Sequence, residues 1–133
     1  MSTRSEIIIK EKIIYDNKKY KFEIKLYHHH DGYPEGVGRF LIEEVLPQLQ
    51  KSNPSCEEIA NFLIKHPKDD EFEVTVRNHV DIEYKYIIDI SKKEIKCYEG
   101  YYHLTKKDNY VFRAERVCDL TCFQPIQETE LFN

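Results

Sequence analysis

The sequence predicts an α+β domain with an N-terminal β-hairpin, two central helices and then an antiparallel sheet, in the order ββααβββ. Three observations carry this expectation. Two strand-like segments meet at the turn residues Asp16-Asn17. Two stretches between 36 and 66 repeat apolar residues every three or four positions. Beyond residue 70, alternation of apolar and polar residues returns. At 133 residues the chain has the usual size of one domain, so 1–133 is read as a single unit.

The first strand is expected over 6–14, where Ile7, Ile8, Ile9, Ile13 and Ile14 are β-branched. The second is expected over 19–29. Tyr20, Phe22, Ile24, Leu26 and His28 fall on one face of it, and Lys21, Glu23, Lys25, Tyr27 and His29 on the other. With the turn at 16–18, facing residues have numbers that sum to about 33–35. Aligning Ile7, Ile9 and Ile13 with the apolar face favours an odd sum. Arg4 then lies across from His29 or Asp31, and Thr3, Arg4 and Ser5 sit beside the segment that leaves the second strand.

The first helix is expected from about Gly36. Leu41, Ile42, Val45, Leu46 and Leu49 make one stripe, and Pro47 ends or kinks it. The second helix has two candidate starts. Ser52 or Asn53 can cap it with Pro54 in the first turn, or Ser55 and Glu58 can form a capping box. Ile59, Phe62 and Leu63 form its buried face, and His66-Pro67 ends it. Strands follow at Phe72, Val74 and Val76, and at Ile82, Tyr84, Tyr86, Ile88 and Ile90. Ser91-Lys92-Lys93 turns the chain into Ile95 and Cys97. Tyr110-Val111-Phe112 reads as a further strand, while 114–122 fits either a short helix or a strand.

Composition narrows the function classes. The net charge is −4, with lysines interleaved among glutamates and no basic stripe, so nucleic acid is not an expected partner. No stretch approaches the roughly 20 apolar residues of a membrane helix. The polar N-terminus has no signal-peptide pattern, which predicts an intracellular protein. Cys56, Cys97, Cys118 and Cys122 are then reduced thiols. Cys118 and Cys122 are four apart, which is not the close pair of a zinc site.

One segment concentrates the chemistry: His28-His29-His30-Asp31-Gly32-Tyr33-Pro34-Glu35-Gly36-Val37-Gly38. Three consecutive histidines close a strand, and a glycine-rich loop opens a helix. Asp31-Gly32 and Gly36 allow a tight, partly left-handed path. Gly36 and Gly38 would let a ligand approach the backbone, and the first helical amides favour an anion. Histidines beside such a site donate to phosphate, and Arg4 would grip one bidentately. Two other readings stay open. The segment is also compatible with a purely structural connection held by Asp31 and Arg4, or with a metal site using His28, His30 and Asp31. Elsewhere, Tyr101 offers a ring for stacking on a base, and Arg113 with Arg116 offers a second phosphate-binding patch. No nucleophile elbow, Walker loop or paired-carboxylate pattern is present.

The opening Met-Ser-Thr-Arg-Ser and the run His-x-Asp-Gly-Tyr-Pro-x-Gly-Val-Gly resemble a group of small phage and prophage proteins, mostly of unassigned function. Members often carry tryptophan where this chain has His30. The resemblance spans roughly the first third of the chain. It places Thr3, Arg4, Ser5, His28, Asp31, Gly32, Tyr33, Pro34, Gly36 and Gly38 in a candidate site. It implies a phage-encoded protein acting in the bacterial cytoplasm, where such proteins blunt host immunity. Sponge proteins that sequester the cyclic ADP-ribose signals of Thoeris defence are similar in size and plan. The resulting expectation is a homo-oligomeric binder of a phosphorylated nucleotide signal that does not cleave it, with no cofactor and no metal. The ligand-binding set is Thr3, Arg4, Ser5, His28, His30, Asp31, Tyr33, Gly36, Gly38, Tyr101 and Arg113. A phosphodiesterase or other hydrolase using His28 or His30, and an inhibitor that docks on a host protein, are the alternatives.

Overall fold

The N-terminal hairpin forms as its alternation dictates. In the computed structural model, which describes residues 3–66 and 71–122, strands β1 (Ser5–Tyr15) and β2 (Lys18–His28) pair antiparallel over their full length. Asp16 and Asn17 take positive φ angles of 51° and 61°, the two-residue turn whose twist suits a hairpin. Paired residue numbers sum to 33, so Ile7 faces Leu26 and Ile9 faces Ile24. One step beyond the ladder Arg4 meets His29, the first of its two expected neighbours.

Helices follow. Pro34–Gly38 makes one π-helical turn, and α1 (Arg39–Glu44) and α2 (Leu46–Lys51) continue from it. The expected Pro47 kink is a break at Val45, and helix resumes with Pro47 in the first turn of α2. There its missing N–H needs no intrahelical partner. Helix α3 (Cys56–Ile64) uses the later of the two expected starts: the Ser55 hydroxyl accepts from the Glu58 amide at 3.1 Å. Pro67, expected to stop this helix, lies outside the described residues, as do Met1, Ser2 and the side chain of Cys122.

The α+β class is observed, but the element order and the sheet differ from expectation. Four strands follow the helices: β3 (Phe72–Val74), β4 (Tyr84–Asp89), β5 (Glu94–Leu104) and β6 (Tyr110–Asp119). The last resolves the choice left open for 114–122: the chain stays extended to Asp119 before a short 3₁₀ turn. The six strands have the order β3-β2-β1-β4-β5-β6, and the sheet is mixed, since β4 runs parallel to β1. β3 takes the free edge of β2, so the chain must cross to the far edge of the hairpin, and that crossing reverses nothing.

The sheet has two unlike faces. Ile7, Ile9, Leu26, Tyr86, Ile88, Ile95 and Cys97 are buried beneath the helices against Leu41, Leu46, Leu49, Ile59 and Leu63. The opposite face holds a smaller cluster of Tyr27, Ile82 and Tyr102, with Phe112 packed on it. Cys56, Cys97 and Cys118 are buried and unpaired with one another. Among the described residues no helix is long and apolar enough to cross a membrane.

Candidate functional site

β2 delivers the three histidines to the end of the sheet where β1 begins, and alternation sends them apart. His28 turns to the helix side, 2% exposed, with its ring 4.4 Å from that of Phe72 and its Nε2 3.9 Å from the Glu71 carboxylate. His29 turns to the opposite face. His30 is exposed, edge-on to His29 at 4.5 Å.

The loop that follows is closed around its own backbone. The left-handed residue is Asp31, at φ 52°, and no glycine has positive φ. The glycines serve close packing. A Cβ at Gly32 would lie 2.8 Å from the Ser5 side chain, one at Gly36 would run into the Asp31 carbonyl oxygen, and one at Gly38 would rest 3.4 Å from the Tyr86 ring. The Gly32 amide donates to the Thr3 carbonyl, Gly36 to Tyr33 and Val37 to Asp31, each at 2.9 Å. Tyr86 donates its hydroxyl to the Gly32 carbonyl at 2.7 Å. Tyr33 donates to the Asp31 carboxylate at 3.1 Å, and that bond raises the Tyr33 pKa. The amides of Gly36 and Val37, at the helix start, are thus bonded within the loop. Ser5 is fully buried beneath Gly32, and its hydroxyl has no hydrogen-bond partner among the described residues.

Arg4 keeps a partly exposed guanidinium. Its Nε–H is shared between His29 Nδ1 at 3.3 Å and the Asp81 carboxylate at 3.2 Å. The side chain is 33% exposed, and it also bonds the Tyr27 side chain, which lowers the Tyr27 pKa against the larger effect of burial. An arginine N–H can only donate, so His29 Nδ1 accepts and the ring carries its proton on Nε2. The Tyr27 hydroxyl lies 3.1 Å from the same Nδ1.

Tyr101 and Arg113 face each other across the β5–β6 ladder, both exposed, at the same end of the sheet as Arg4. β1 and β4 lie between them and β2, so they form no single cluster with the histidines. The structure therefore brings together Thr3, Ser5, Asp31, Tyr33 and the loop glycines. It sets Arg4 with His29 on the other face and leaves Tyr101 and Arg113 apart.

A polar network absent from the sequence reading continues from Arg4 along the uncovered face. Residues 75–83 cross this face as a strap. Beneath it Glu6 is 0% exposed. Its Oε1 accepts from the Tyr102 hydroxyl at 2.8 Å and its Oε2 from the His79 amide at 3.0 Å. Lys25 and Lys85 stand 3.8 Å and 3.9 Å away. Lys25 also donates to the Asn78 side chain at 2.6 Å, and Lys85 lies over the rings of Tyr102 and Phe112. His79 stacks on Tyr27 at 3.9 Å, with Nε2 2.8 Å from the Thr75 hydroxyl. Burial lowers the Lys85 pKa against the pull of Glu6. Burial and the bond to Glu6 raise that of Tyr102. The only hint of Glu6 in the sequence was a glutamate at the start of an isoleucine run, and that is also how an exposed strand residue looks.

The chain matches no family model, no curated protein and no solved structure. Its own residues carry the functional reading. Among the described residues no group of three or more His, Cys, Asp or Glu is placed to hold a metal ion, which bears on the open reading of His28, His30 and Asp31.

Proposed function

We propose that this chain is a binding protein for a phosphorylated small molecule, a nucleotide signal of the cyclic ADP-ribose or cyclic oligonucleotide kind, which it sequesters without cleaving. One observation supports the reading above the rest: Arg4 is held against His29, Asp81 and Tyr27 with a third of its side chain exposed, so its guanidinium is fixed at the surface. A guanidinium fixed in this way meets a phosphate with two parallel bonds and little loss of side-chain entropy. His29, bound as acceptor at Nδ1, presents Nε2–H beside it, and His30 adds a second exposed ring. In the phage setting implied by the N-terminal motif, such sequestration removes a host defence signal.

The test is native mass spectrometry with a panel of cyclic nucleotides and inorganic phosphate, followed by heat release of the bound species. An intact nucleotide recovered from a stable complex is the expected result. Arg4→Ala is expected to weaken binding at least about ten-fold, because hydrogen bonds to a charged group contribute roughly 1.5–3 kcal/mol. Recovery of a cleaved product, or unchanged affinity in Arg4→Ala, would overturn the reading.

A further inference from the structure

The β1–β2 hairpin runs past the rest of the sheet. β4 accompanies β1 only to Lys10, and β3 accompanies β2 only from Leu26 to His28. On the outer side of β2, residues 18–24 have no strand partner among the described residues. One bond sets the phase of this edge: the Thr75 amide donates to the Lys25 carbonyl at 3.0 Å. In a strand both backbone groups of a residue point the same way, and successive residues alternate. Lys19, Lys21 and Glu23 therefore turn their N–H and C=O outward, while Tyr20, Phe22 and Ile24 turn theirs to β1.

The side chains on this edge are sorted by charge. Tyr20 and Phe22 share the helix-side face with Ile13, and all three remain exposed, at 42%, 47% and 40%. Lys19 and Lys21 lie on the other face. Across the ladder Lys10 faces Glu23, but Lys12 faces Lys21 and Lys19 faces Ile14. Like charges placed opposite each other repel, and no ion pair among the described residues neutralises Lys12, Lys19 or Lys21. Residues 10–25 hold six lysines and three acids in a chain whose net charge is −4.

A second copy fits this edge poorly. The register that sets Lys21 against Glu23 of a second copy carries residues 16–18 into the rows of residues 26–28, which β3 of that copy occupies. The register one step nearer the tip brings Lys19 beside Glu23 at each end but sets Lys21 against Lys21 at its centre, and the next sets Lys19 against Lys21 twice. The charges that turn away a second copy select a strand of opposite sign.

We propose that the outer edge of β2 takes up an extended segment of another protein by strand addition. The segment carries acidic side chains beside Lys19 and Lys21 and apolar ones beside Tyr20 and Phe22. Backbone bonds to the outward residues supply affinity, and the alternating side chains supply selectivity.

The test uses the full chain with two fluorescent blocked hexapeptides, one alternating glutamate with valine and the other lysine with valine. Anisotropy at low salt should show the acidic peptide binding at least about ten-fold more tightly, with the difference shrinking as salt rises. The double variant K19E/K21E alters only exposed side chains and should reverse the preference. Amide exchange should slow at Lys19, Lys21 and Glu23 on binding, and not at Tyr20 or Phe22. Three results would each overturn the proposal. The first is no binding of the acidic peptide up to about 1 mM. The second is equal binding of the two peptides. The third is displacement of the acidic peptide by a single-stranded oligonucleotide that binds more tightly, which would make this edge a nucleic-acid surface.

Discussion

The two faces of the sheet solve the same problem with different chemistry. On the helix side, burial is apolar, and Ile7, Ile9 and Ile88 vanish beneath aliphatic side chains from α1 to α3. Such contacts are non-directional and tolerate a neighbour's small shift. On the other side none of the described helices arrives. A strap of residues 75–83 does the covering, and it has few large apolar side chains with which to do so. Ile82 is the buried one, while Val76 and Val80 stay exposed. Directional bonds make up the difference, converging on the Glu6 carboxylate from Tyr102, the His79 amide and two lysines. The lesson is that a thin covering segment is held by a polar centre, and that the arrangement is sensitive to loss of any one partner.

The sharpest way to break this comparison is Glu6→Ala. It leaves Lys25 and Lys85 near each other without their shared acid, and removing one side of a buried pair costs about 3–5 kcal/mol. Denaturant unfolding should show that loss, together with faster amide exchange across 75–83. A smaller loss than for a core truncation would mean the strap is held by Ile82 and Tyr27 instead. That core truncation is Ile9→Ala on the helix side, expected to cost about 2–4 kcal/mol with exchange in the strap unchanged. Next comes Gly36→Ala. Its Cβ would meet the Asp31 carbonyl oxygen, and relieving such a clash costs about 1–3 kcal/mol. A Tm equal to that of the parent would show that the loop yields freely.

Tyr102→Phe should cost about 1.5–3 kcal/mol near neutral pH, because it removes a hydrogen bond to a buried carboxylate, but its interest lies in alkali. The phenol is held above the ordinary value of 10.0 by burial and by its bond to Glu6. Stability from the neutral phenol is fully present below pH 10, and it is lost as pH rises further because the unfolded chain gives up that proton first. Stability measured by urea titration should therefore fall less steeply above pH 10 in the variant. Parallel curves would separate Tyr102 from the alkaline loss. The smallest effect is expected of Arg4→Ala, below about 1 kcal/mol, since its pair with Asp81 is largely exposed.

How far the sequence reached differs by region. The hairpin was legible because a period of two and a turn pair narrow the register between neighbours: the odd sum left His29 or Asp31 across from Arg4, and the structure takes the first. The Ser55 cap was legible because capping is local. The loop glycines were legible as points of close approach, but not what approaches them. That the neighbours are Ser5, the Asp31 carbonyl and Tyr86, with the loop amides bonded internally, depends on atoms up to 54 residues away. The parallel pairing of β4 with β1 left no local trace, because either edge of the hairpin offers the same alternation.

By itself, the sequence determined the α+β class, the hairpin with an odd-sum register, two candidate starts for the last helix and the position of the histidine–glycine loop. These rest on interactions within a few residues or across one turn. Only the tertiary structure decided that Glu6 is a buried centre, that Lys25, His79, Lys85 and Tyr102 gather around it, and that His28 is buried against Phe72. The physical reason is that a carboxylate on a strand looks the same in sequence whether water or a strap covers it. Burial is set by where a distant segment lands, and that is a property of the whole packed chain.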